Sequence, residues 1–434
     1  MRTKTRFHIG LSLSPTWLGG DAWRRSDSAI EDMFESGFSI DVAKRAEAAK
    51  LDFVFRPDNL YLDRAALEKG PGFASLDPTI LLASIARETS HIGLLTTAST
   101  TFYPPFLIAR QLQSLNWLSR GRAGWNVVTS LDGNQNFGLD EMPSTDERYA
   151  RASEAVTAVK SLWRSFPNEA LEYDRASGRF ADPERIEPIN FEGSYYEIAG
   201  PLNTPEFAAS RIPIVQAGAS PTGRDFAASI ADAVFASTPD KDAAIELRSD
   251  LKRRAEVHGR GADAVRVLPG LSLFLAESRA EAEDLFAETH ARVDGVRKLA
   301  SIREMTGLDL AEWPKERQIK ASDLPPPSST VRSRTHSDLL RRLIARDEPT
   351  LSDLLRRPEV IGSAHWRIVG TVTDAAAEIA EWADAGAIDG FVAVPGGSVG
   401  SMHLFLEGLV PRLAESGLFR RDYCGPHFAD HLGL

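Results

Sequence analysis

Short apolar runs rich in β-branched and aromatic residues alternate along this chain with longer segments of helical periodicity. That alternation predicts repeated βα units, in which helices cover the faces of a parallel sheet. Eight runs are predicted as strands: 7–13, 53–56, 92–98, 123–129, 214–217, 233–236, 265–274 and 390–394. The pattern therefore predicts an α/β barrel or an open parallel sheet, with its chemistry at the carboxyl ends of the strands.

The segments between the strands have the spacing of amphipathic helices. Helices are predicted at 40–49, 78–88, 107–118, 146–163, 221–231, 279–293, 374–385 and 403–416. Gly386 and Gly417 follow the last two, and we expect both to adopt the left-handed conformation that ends a helix.

Two segments interrupt the pattern, after the fourth and the seventh strand. Residues 166–212 hold many glycines and prolines around short aromatic pieces, which predicts hairpins or irregular excursions. Residues 294–365 include a Leu-Pro-Pro-Pro-Ser-Ser-Thr run at 324–330, which excludes helix and central strand there. We expect this second insertion to be a mobile surface loop or lid on a single domain spanning 1–434.

Charge and cysteine content exclude several classes of protein. The chain has 50 Lys and Arg against 61 Asp and Glu, a net charge of −11, and no basic patch, which disfavours nucleic acid as a partner. Cys424 is the only cysteine, so the chain forms no internal disulfide and no multi-cysteine metal site. The first apolar run is too short for a signal peptide or a membrane span, so we expect a cytoplasmic protein that needs no metal.

Polar residues end two of the predicted strands. Asp58 follows the strand at 53–56, where it is either a functional carboxylate or the cap of a turn. Asn126, Thr129 and Ser130 end the strand at 123–129, and their amide and hydroxyl groups can hydrogen-bond a heterocycle. An ordinary polar strand end is the alternative for this second group.

Small residues follow the strand at 214–217 and precede a predicted helix. Gly218, Ala219 and Ser220 therefore place backbone N–H groups and a hydroxyl at a positive helix end, which is suited to a phosphate. The alternative is a tight turn in which Ser220 only caps the helix.

Gly396-Gly-Ser398-Val-Gly400 matches the nucleophile elbow of a serine hydrolase. Too few residues follow for the acid and the histidine that such a fold places on later strands, which favours a glycine-rich loop. The sequence has no HExxH, no Walker A loop and no GxGxxG after a strand, which disfavours zinc proteases, P-loop enzymes and tight dinucleotide binding.

Taken together, these motifs resemble one group of the bacterial-luciferase-like superfamily. The group contains nitrilotriacetate monooxygenase, pristinamycin synthase and dibenzothiophene-sulfone monooxygenase. The resemblance is carried by 53–59, 93–100, 119–130 (Ser-Arg-Gly-Arg-Ala-Gly-Trp-Asn-Val-Val-Thr-Ser), 136–139, 146–149, 200–203, 216–220 (Gln-Ala-Gly-Ala-Ser) and 417–423. It implies a (β/α)8 TIM barrel with insertions after strands 4 and 7.

The resemblance also implies a chemistry. Members use reduced FMN, delivered by a separate NAD(P)H-dependent flavin reductase, and O2 to oxygenate a small molecule. The implied cofactor-binding residues are Asp58, Thr97, Asn126, Thr129, Ser130, Thr145, Arg148, Tyr149, Gly218, Ala219 and Ser220. Among them, Gly218, Ala219 and Ser220 would hold the phosphate, and Thr97 and Asn126 would be catalytic, lining the oxygen pocket.

The chain departs from the group at three places. A histidine common near the N-terminus of relatives is unmatched in Leu-Gly-Gly-Asp-Ala-Trp-Arg at 18–24, and Thr145 stands where relatives often have another. Arg56 replaces an apolar or small residue, and we expect it, with Arg24 or Arg25, to favour an anionic substrate; simple pairing with Asp58 or another acid is the alternative. Trp17 and Trp23 either line the substrate pocket or pack.

The sequence thus predicts a two-component, reduced-FMN-dependent monooxygenase of a small organic substrate, with O2 and a flavin reductase as partners. The substrate is expected to contain sulfur or nitrogen, and the enzyme to be a homo-oligomer. Two alternatives stay open: a deazaflavin-dependent oxidoreductase of the same superfamily, and a non-catalytic flavin-binding protein.

Overall fold

The computed structural model describes residues 7–13, 21–68, 70–218, 220–291, 295–328, 331, 334–360 and 365–434. Strands in these ranges are β1 (His8–Ser12), β2 (Phe53–Arg56), β3 (Gly93–Ser99), β4 (Ala123–Val128), β5 (Leu171–Asp174), β6 (Arg179–Ala181), β7 (Phe191–Glu192), β8 (Glu197–Ile198), β9 (Ile214–Gln216), β10 (Ala233–Ala236), β11 (Arg266–Leu275), β12 (Trp366–Gly370) and β13 (Gly390–Pro395).

Helices lie between and beyond the strands. The α-helices are α1 (Ser36–Ala48), α2 (Arg64–Leu67), α3 (Pro78–Glu88), α4 (Pro105–Leu118), α5 (Thr145–Arg164), α6 (Pro221–Ile230), α7 (Lys241–Val257), α8 (Arg279–His290), α9 (Gly295–Thr306), α10 (Arg334–Asp347), α11 (Leu351–Leu354), α12 (Val372–Asp384), α13 (Val399–His403), α14 (Val410–Glu415) and α15 (Phe428–His431). A π-helical turn, Leu404–Leu409, joins α13 to α14 in the segment predicted as one helix. Gly386 and Gly417 have φ of 66° and 76°, so both predicted helix ends are confirmed.

Eight parallel strands form a closed barrel. The order β10-β9-β4-β3-β2-β1-β13-β11 is closed by pairing of β10 with β11, and it contains all eight predicted strands. A further parallel strand, β12, pairs with the second half of β11 outside this ring. β12 is not predicted from the sequence, because it has only two β-branched residues and directly follows the interrupted segment.

The barrel interior is filled by side chains from alternate strand positions. Phe53, Phe55, Leu95 and Val392 pack there with Phe428 of the C-terminal helix α15. An added Cβ on Gly93 would lie 2.5 Å from the Phe428 ring, and one on Gly124 would overlap it. The C-terminal residues therefore close the amino end of the barrel and leave the carboxyl end for a site.

The first insertion, 166–212, forms two antiparallel hairpins, β5–β6 and β7–β8, as its glycines and prolines predicted. The second insertion differs from a bare loop. Its described residues form α9, α10 and α11, which enclose a separate apolar cluster that includes Ile302, Leu340 and Leu354. Residues 329–330, 332–333 and 361–364 of this insertion lie outside the described residues, and its lid role stays a prediction. In the described part of the chain, we find no helix long and apolar enough to cross a membrane.

Candidate active site

The polar residues that the sequence placed at strand ends meet at one rim. Thr97 is on β3, Asn126 is on β4, and Asp58 and Gly218 follow the last residues of β2 and β9. Because all barrel strands are parallel, their carboxyl ends share one rim. The fold therefore assembles these residues into one candidate site opposite the Phe428 end.

Thr97 and Asn126 form a buried pair across β3 and β4. They are in register, and the Asn126 amide donates to the Thr97 hydroxyl at 3.0 Å. The Thr97 hydroxyl donates in turn to the Arg56 carbonyl at 2.8 Å. Asn126 Oδ1 is buried without a partner among the described residues, so the pair presents one free acceptor. A buried acceptor is normally satisfied, so Asn126 Oδ1 is a candidate contact for a group bound at this rim.

Hydroxyl groups continue this rim along the same two strands. Ser99 and Ser130 are hydrogen-bonded through their hydroxyl oxygens at 2.7 Å. Thr129, between Val128 and Ser130, is half-buried. The Thr101 hydroxyl is a second buried polar atom without a partner among the described residues.

Asp58 lies in an acidic corner of the rim. Burial, then the nearby Asp77 carboxylate, raises its pKa, against the opposing effects of the Asn59 N–H and Arg56. Burial and the same two carboxylates raise the pKa of Tyr103 to about 12. Asp58 is thus a half-buried carboxyl whose pKa lies above its usual value, and perturbed pKa values are more common at functional sites than on surfaces.

A cradle formed by two glycines, Gly218 and Gly223, lies against Tyr149 between β9 and α6. An added Cβ would approach Tyr149 Oη to 2.8 Å from Gly218 and to 2.7 Å from Gly223. The Gly218 N–H donates to the side chain of Gln216 at 2.6 Å. Ser220 caps α6 by accepting from the Gly223 N–H at 3.1 Å, and its hydroxyl donates to none of the described residues, so its proton could serve an anion. Ala219 lies outside the described residues.

Arg148 adds a buried cation beside this cradle. It is 8% exposed, and it donates through Nη2 to Thr145 Oγ1 at 3.3 Å. Burial lowers its pKa, against the effects of Tyr149 and Asp132. Its Nε has no partner, and no carboxylate lies at ion-pair distance, among the described residues. A buried guanidinium without a counter-ion is suited to a phosphate.

Arg56, one of the predicted substrate residues, faces away from this group. Phe53 and Phe55 point into the barrel, so alternation along β2 directs Arg56 to the outer side, with Val54. Arg56 is buried, donates to the Leu13 carbonyl, and has an unpartnered Nε. Within the described residues it forms no ion pair with Asp58 or another acid. Trp23 is half-buried in the turn Ala22–Arg24, and Trp17 lies outside the described residues.

Ser398 does not form a nucleophile elbow. Its backbone is extended, with φ −158° and ψ 160°, and its hydroxyl accepts from the Ser401 N–H at 3.0 Å as the cap of α13. The residue of a true elbow occupies a strained turn that exposes its hydroxyl. The geometry therefore supports the glycine-rich loop and not the hydrolase.

No individual role is predicted from the sequence for Gln216, Gly223 or His365. Gln216 and Gly223 flank the Gly-Ala-Ser run and could have been found as part of it. His365 precedes β12, and its place beside β11 follows from the tertiary structure alone. Among the described residues, we find no cluster of His, Cys, Asp and Glu that could hold a metal ion.

These features define a barrel protein with a candidate site for an anionic cofactor, because an anion cradle shares one rim with an amide acceptor and a guanidinium that lacks an ion pair among the described residues. The chain belongs to the luciferase-like monooxygenase family, whose model matches residues 24–388. Dibenzothiophene-sulfone monooxygenase of Rhodococcus erythropolis is 33% identical over 95% of this chain and 93% of its own length. Nitrilotriacetate monooxygenase component A of Aminobacter aminovorans is 33% identical over 100% of this chain and 98% of its own.

Solved structures agree with this assignment. A riboflavin lyase crystallised with modified FMN and riboflavin superposes with a TM-score of 0.83 at 28% identity, covering 99% of this chain and 96% of the other. The barrel and the family expected from the motifs are thus confirmed, and the chain is a flavin-dependent monooxygenase. The deazaflavin alternative is not favoured.

Proposed function

We propose that this chain is the oxygenating component of a two-component system that uses reduced FMN and O2. The observation that carries the proposal is the cradle formed by Gly218, Gly223 and Tyr149. Its glycines leave room where any side chain would collide with Tyr149. A phosphate at the start of α6 is stabilised by backbone N–H groups and by the helix dipole.

Each end of the flavin has residues that fit it. Ser220, Gly218, Ala219 and Arg148 would hold the phosphate, and Tyr149 and Thr145 would border the chain that leads to the ring. Asn126 Oδ1 would accept a hydrogen bond at the ring edge, with Thr97 holding the amide in place. Asp58, Thr129 and Ser130 complete the ring site in this proposal.

When bound, reduced FMN supplies the two electrons with which one oxygen atom enters the substrate and the other leaves as water. The protein must orient both reactants and exclude water. Thr97 and Asn126 serve the first task, because their mutual hydrogen bond fixes the direction of the free Asn126 oxygen. The helical second insertion is our candidate for the second task.

A separate reductase is proposed because the chain lacks a GxGxxG dinucleotide fingerprint after a strand. The name of the Aminobacter relative, component A, is in keeping with a second component. We expect the substrate to be a small molecule containing sulfur or nitrogen, like the sulfone and the amine named for the two relatives.

An anionic substrate is the finer part of the proposal. Its basis is the charge of the Arg56 guanidinium, which is buried without an ion pair among the described residues, although it points to the outer side of β2 and not into the barrel. Arg56→Leu should then raise KM for nitrilotriacetate, an anion, more than for dibenzothiophene sulfone, which is neutral. Equal effects on the two would leave the anion preference without support.

To test the function, the purified chain is mixed with FMN, NADH and a generic flavin reductase, and nitrilotriacetate and dibenzothiophene sulfone are added in separate assays. We expect oxygen uptake above the reductase background and product that carries one atom from isotopically labelled O2. FMN binding without any substrate-dependent oxygen uptake across a wider panel of sulfur and nitrogen compounds would instead support the non-catalytic flavin-binding protein.

A further inference from the structure

A gap in the barrel wall lies at Gly270. On one side of β11, β10 pairs with Arg266 to Pro269 and β12 pairs with Leu271 to Leu275. Gly270 is the residue between the two pairings. His365, immediately before β12, brings its ring to this point, where a Cβ on Gly270 would overlap the imidazole.

The His365 ring reaches the barrel interior at the level of the candidate site. Its centroid is 5.3 Å from that of Phe235, which in turn contacts Phe55 at 5.5 Å. Phe55 and Phe235 pack with the interior cluster. Gly270 has the same inward register as Leu268, one layer closer to the carboxyl rim. His365 thus borders the space above the filled core.

The two nitrogens of His365 have different surroundings. Nδ1 is buried without a partner among the described residues, and it faces Gly270, whose Cα offers no acceptor. The proton of a neutral ring therefore belongs on Nε2, at the side of the ring away from β11. Nε2 makes no hydrogen bond to the described residues. Unlike Nδ1, it is also not one of the fully buried atoms that lack a partner.

The ring is neutral at physiological pH. Burial, then the neighbouring His336, lowers the pKa of His365 to about 4. His336 belongs to α10, so the second insertion supplies the titratable group that acts on His365. A neutral imidazole with one fixed N–H is a donor that does not demand a counter-ion.

We propose that His365 is a substrate-contacting residue whose Nε2–H donates to an oxygen acceptor of the substrate. This inference rests on the proposed function and narrows the substrate class to molecules with a sulfonyl or carboxylate oxygen near the reacting atom. Gly270 is the positioning residue, because only glycine leaves room for the ring.

Two amide substitutions at His365 distinguish the contribution of Nε2 from that of Nδ1. The Gln amide reaches the position of Nε2, and the shorter Asn amide reaches that of Nδ1. His365→Gln should keep KM near that of the unmodified chain for dibenzothiophene sulfone or nitrilotriacetate, whichever is oxidised. His365→Asn should raise KM about tenfold, the value of one lost hydrogen bond, with kcat changed less.

Gly270→Ala tests the same contact without altering the imidazole. It should raise KM about as much as His365→Asn. Gly37→Ala on α1, where an added Cβ has nothing within 4 Å, is the matched control and should leave KM unchanged. A readout independent of turnover is the change that each compound produces in the absorbance of bound oxidised FMN. That change should need about tenfold more compound in His365→Asn and in Gly270→Ala.

Equal KM values for His365→Gln and His365→Asn would overturn the inference while leaving the proposed function intact. If neither compound, nor any member of a wider panel of sulfones and carboxylates, stimulates oxygen uptake by the unmodified chain, that result would contradict the proposed function. The proposed role of His365 would then fall with it. FMN affinity should be the same in all four variants, so a loss of cofactor binding by His365→Asn would also contradict a substrate contact.

Discussion

The hydroxyl of Thr97 on β3 links this strand to both of its neighbours, because it accepts from the Asn126 amide of β4 at 3.0 Å and donates to the Arg56 carbonyl of β2 at 2.8 Å. This places Thr97 between the end of β2 and the free oxygen of Asn126. The direction of that oxygen is therefore set by a hydroxyl group on the neighbouring strand.

Thr97→Val should uncouple electron use from oxygenation. Without the hydroxyl, the Asn126 amide can rotate, and its Oδ1 no longer has a fixed direction. We expect a higher ratio of hydrogen peroxide to product, measured with reductase and substrate, and a loss of about 1–3 kcal/mol in the free energy of unfolding. Thr96→Val is the control, because the Thr96 hydroxyl contacts Thr79 at 2.9 Å instead. An equal rise in peroxide for both variants would contradict the role of Thr97.

Substitutions of Ser220 should separate helix capping from phosphate binding. Ser220→Ala removes both the cap of α6 and the hydroxyl, so FMN affinity and stability should both fall, stability by about 1 kcal/mol. Ser220→Asp keeps a cap oxygen but adds a negative charge. It should keep the free energy of unfolding and lose FMN affinity, measured by fluorescence titration. Unchanged FMN affinity in Ser220→Asp would exclude a phosphate at this position.

Phe428→Ala should destabilise the whole barrel. The ring is fully buried in the barrel interior, where its environment includes Phe53 at a centroid distance of 5.3 Å. Removing it leaves a cavity between strands, at a cost of about 3–5 kcal/mol in urea unfolding. Phe180→Ala is the control, because that ring is 65% exposed. A cost below about 1 kcal/mol would show that the C-terminal residues do not close the barrel.

Asp52 and Arg420 should show a pH-dependent coupling. Asp52 is fully buried; burial opposes its ionisation, but Arg420 and His8 hold its pKa below the usual value. A lowered carboxyl pKa adds stability above the unfolded-state pKa of about 4, and this stability is lost as pH falls through the folded-state pKa. Arg420→Met should therefore cost about 3–5 kcal/mol at pH 7.

The cost of Arg420→Met should shrink as pH falls. Without the guanidinium, the pKa of Asp52 rises, and a neutral buried carboxyl is tolerated better than a charged one. Urea unfolding at pH 7 and near pH 4 measures this difference. Arg279→Met, which breaks an exposed and solvent-screened pair with Asp374, should change the free energy of unfolding little at either pH. A cost for Arg420→Met that does not change with pH would contradict the coupling.

Local pattern was enough to predict the barrel strands. A strand buried on both faces must be apolar along its whole length, and that property is visible in runs such as 53–56 and 390–394 without knowledge of neighbours. The order of the motifs placed Asp58, Asn126 and Gly218 at strand ends. Because parallel strands end on one rim, the sequence could also predict that these residues share a site.

The tertiary structure decided which faces and which distant segments meet. Arg56 points outward because closure of the ring commits Phe53 and Phe55 to the interior. The second insertion encloses a core because helices far apart in sequence bury Ile302 and Leu354 together. Phe428 fills the amino end of the barrel and contacts the position of Gly93, from which it is separated by 335 residues of chain. His365 fills the space at Gly270, from which it is separated by 95 residues. Such contacts depend on shape complementarity between surfaces that exist only after the chain has folded.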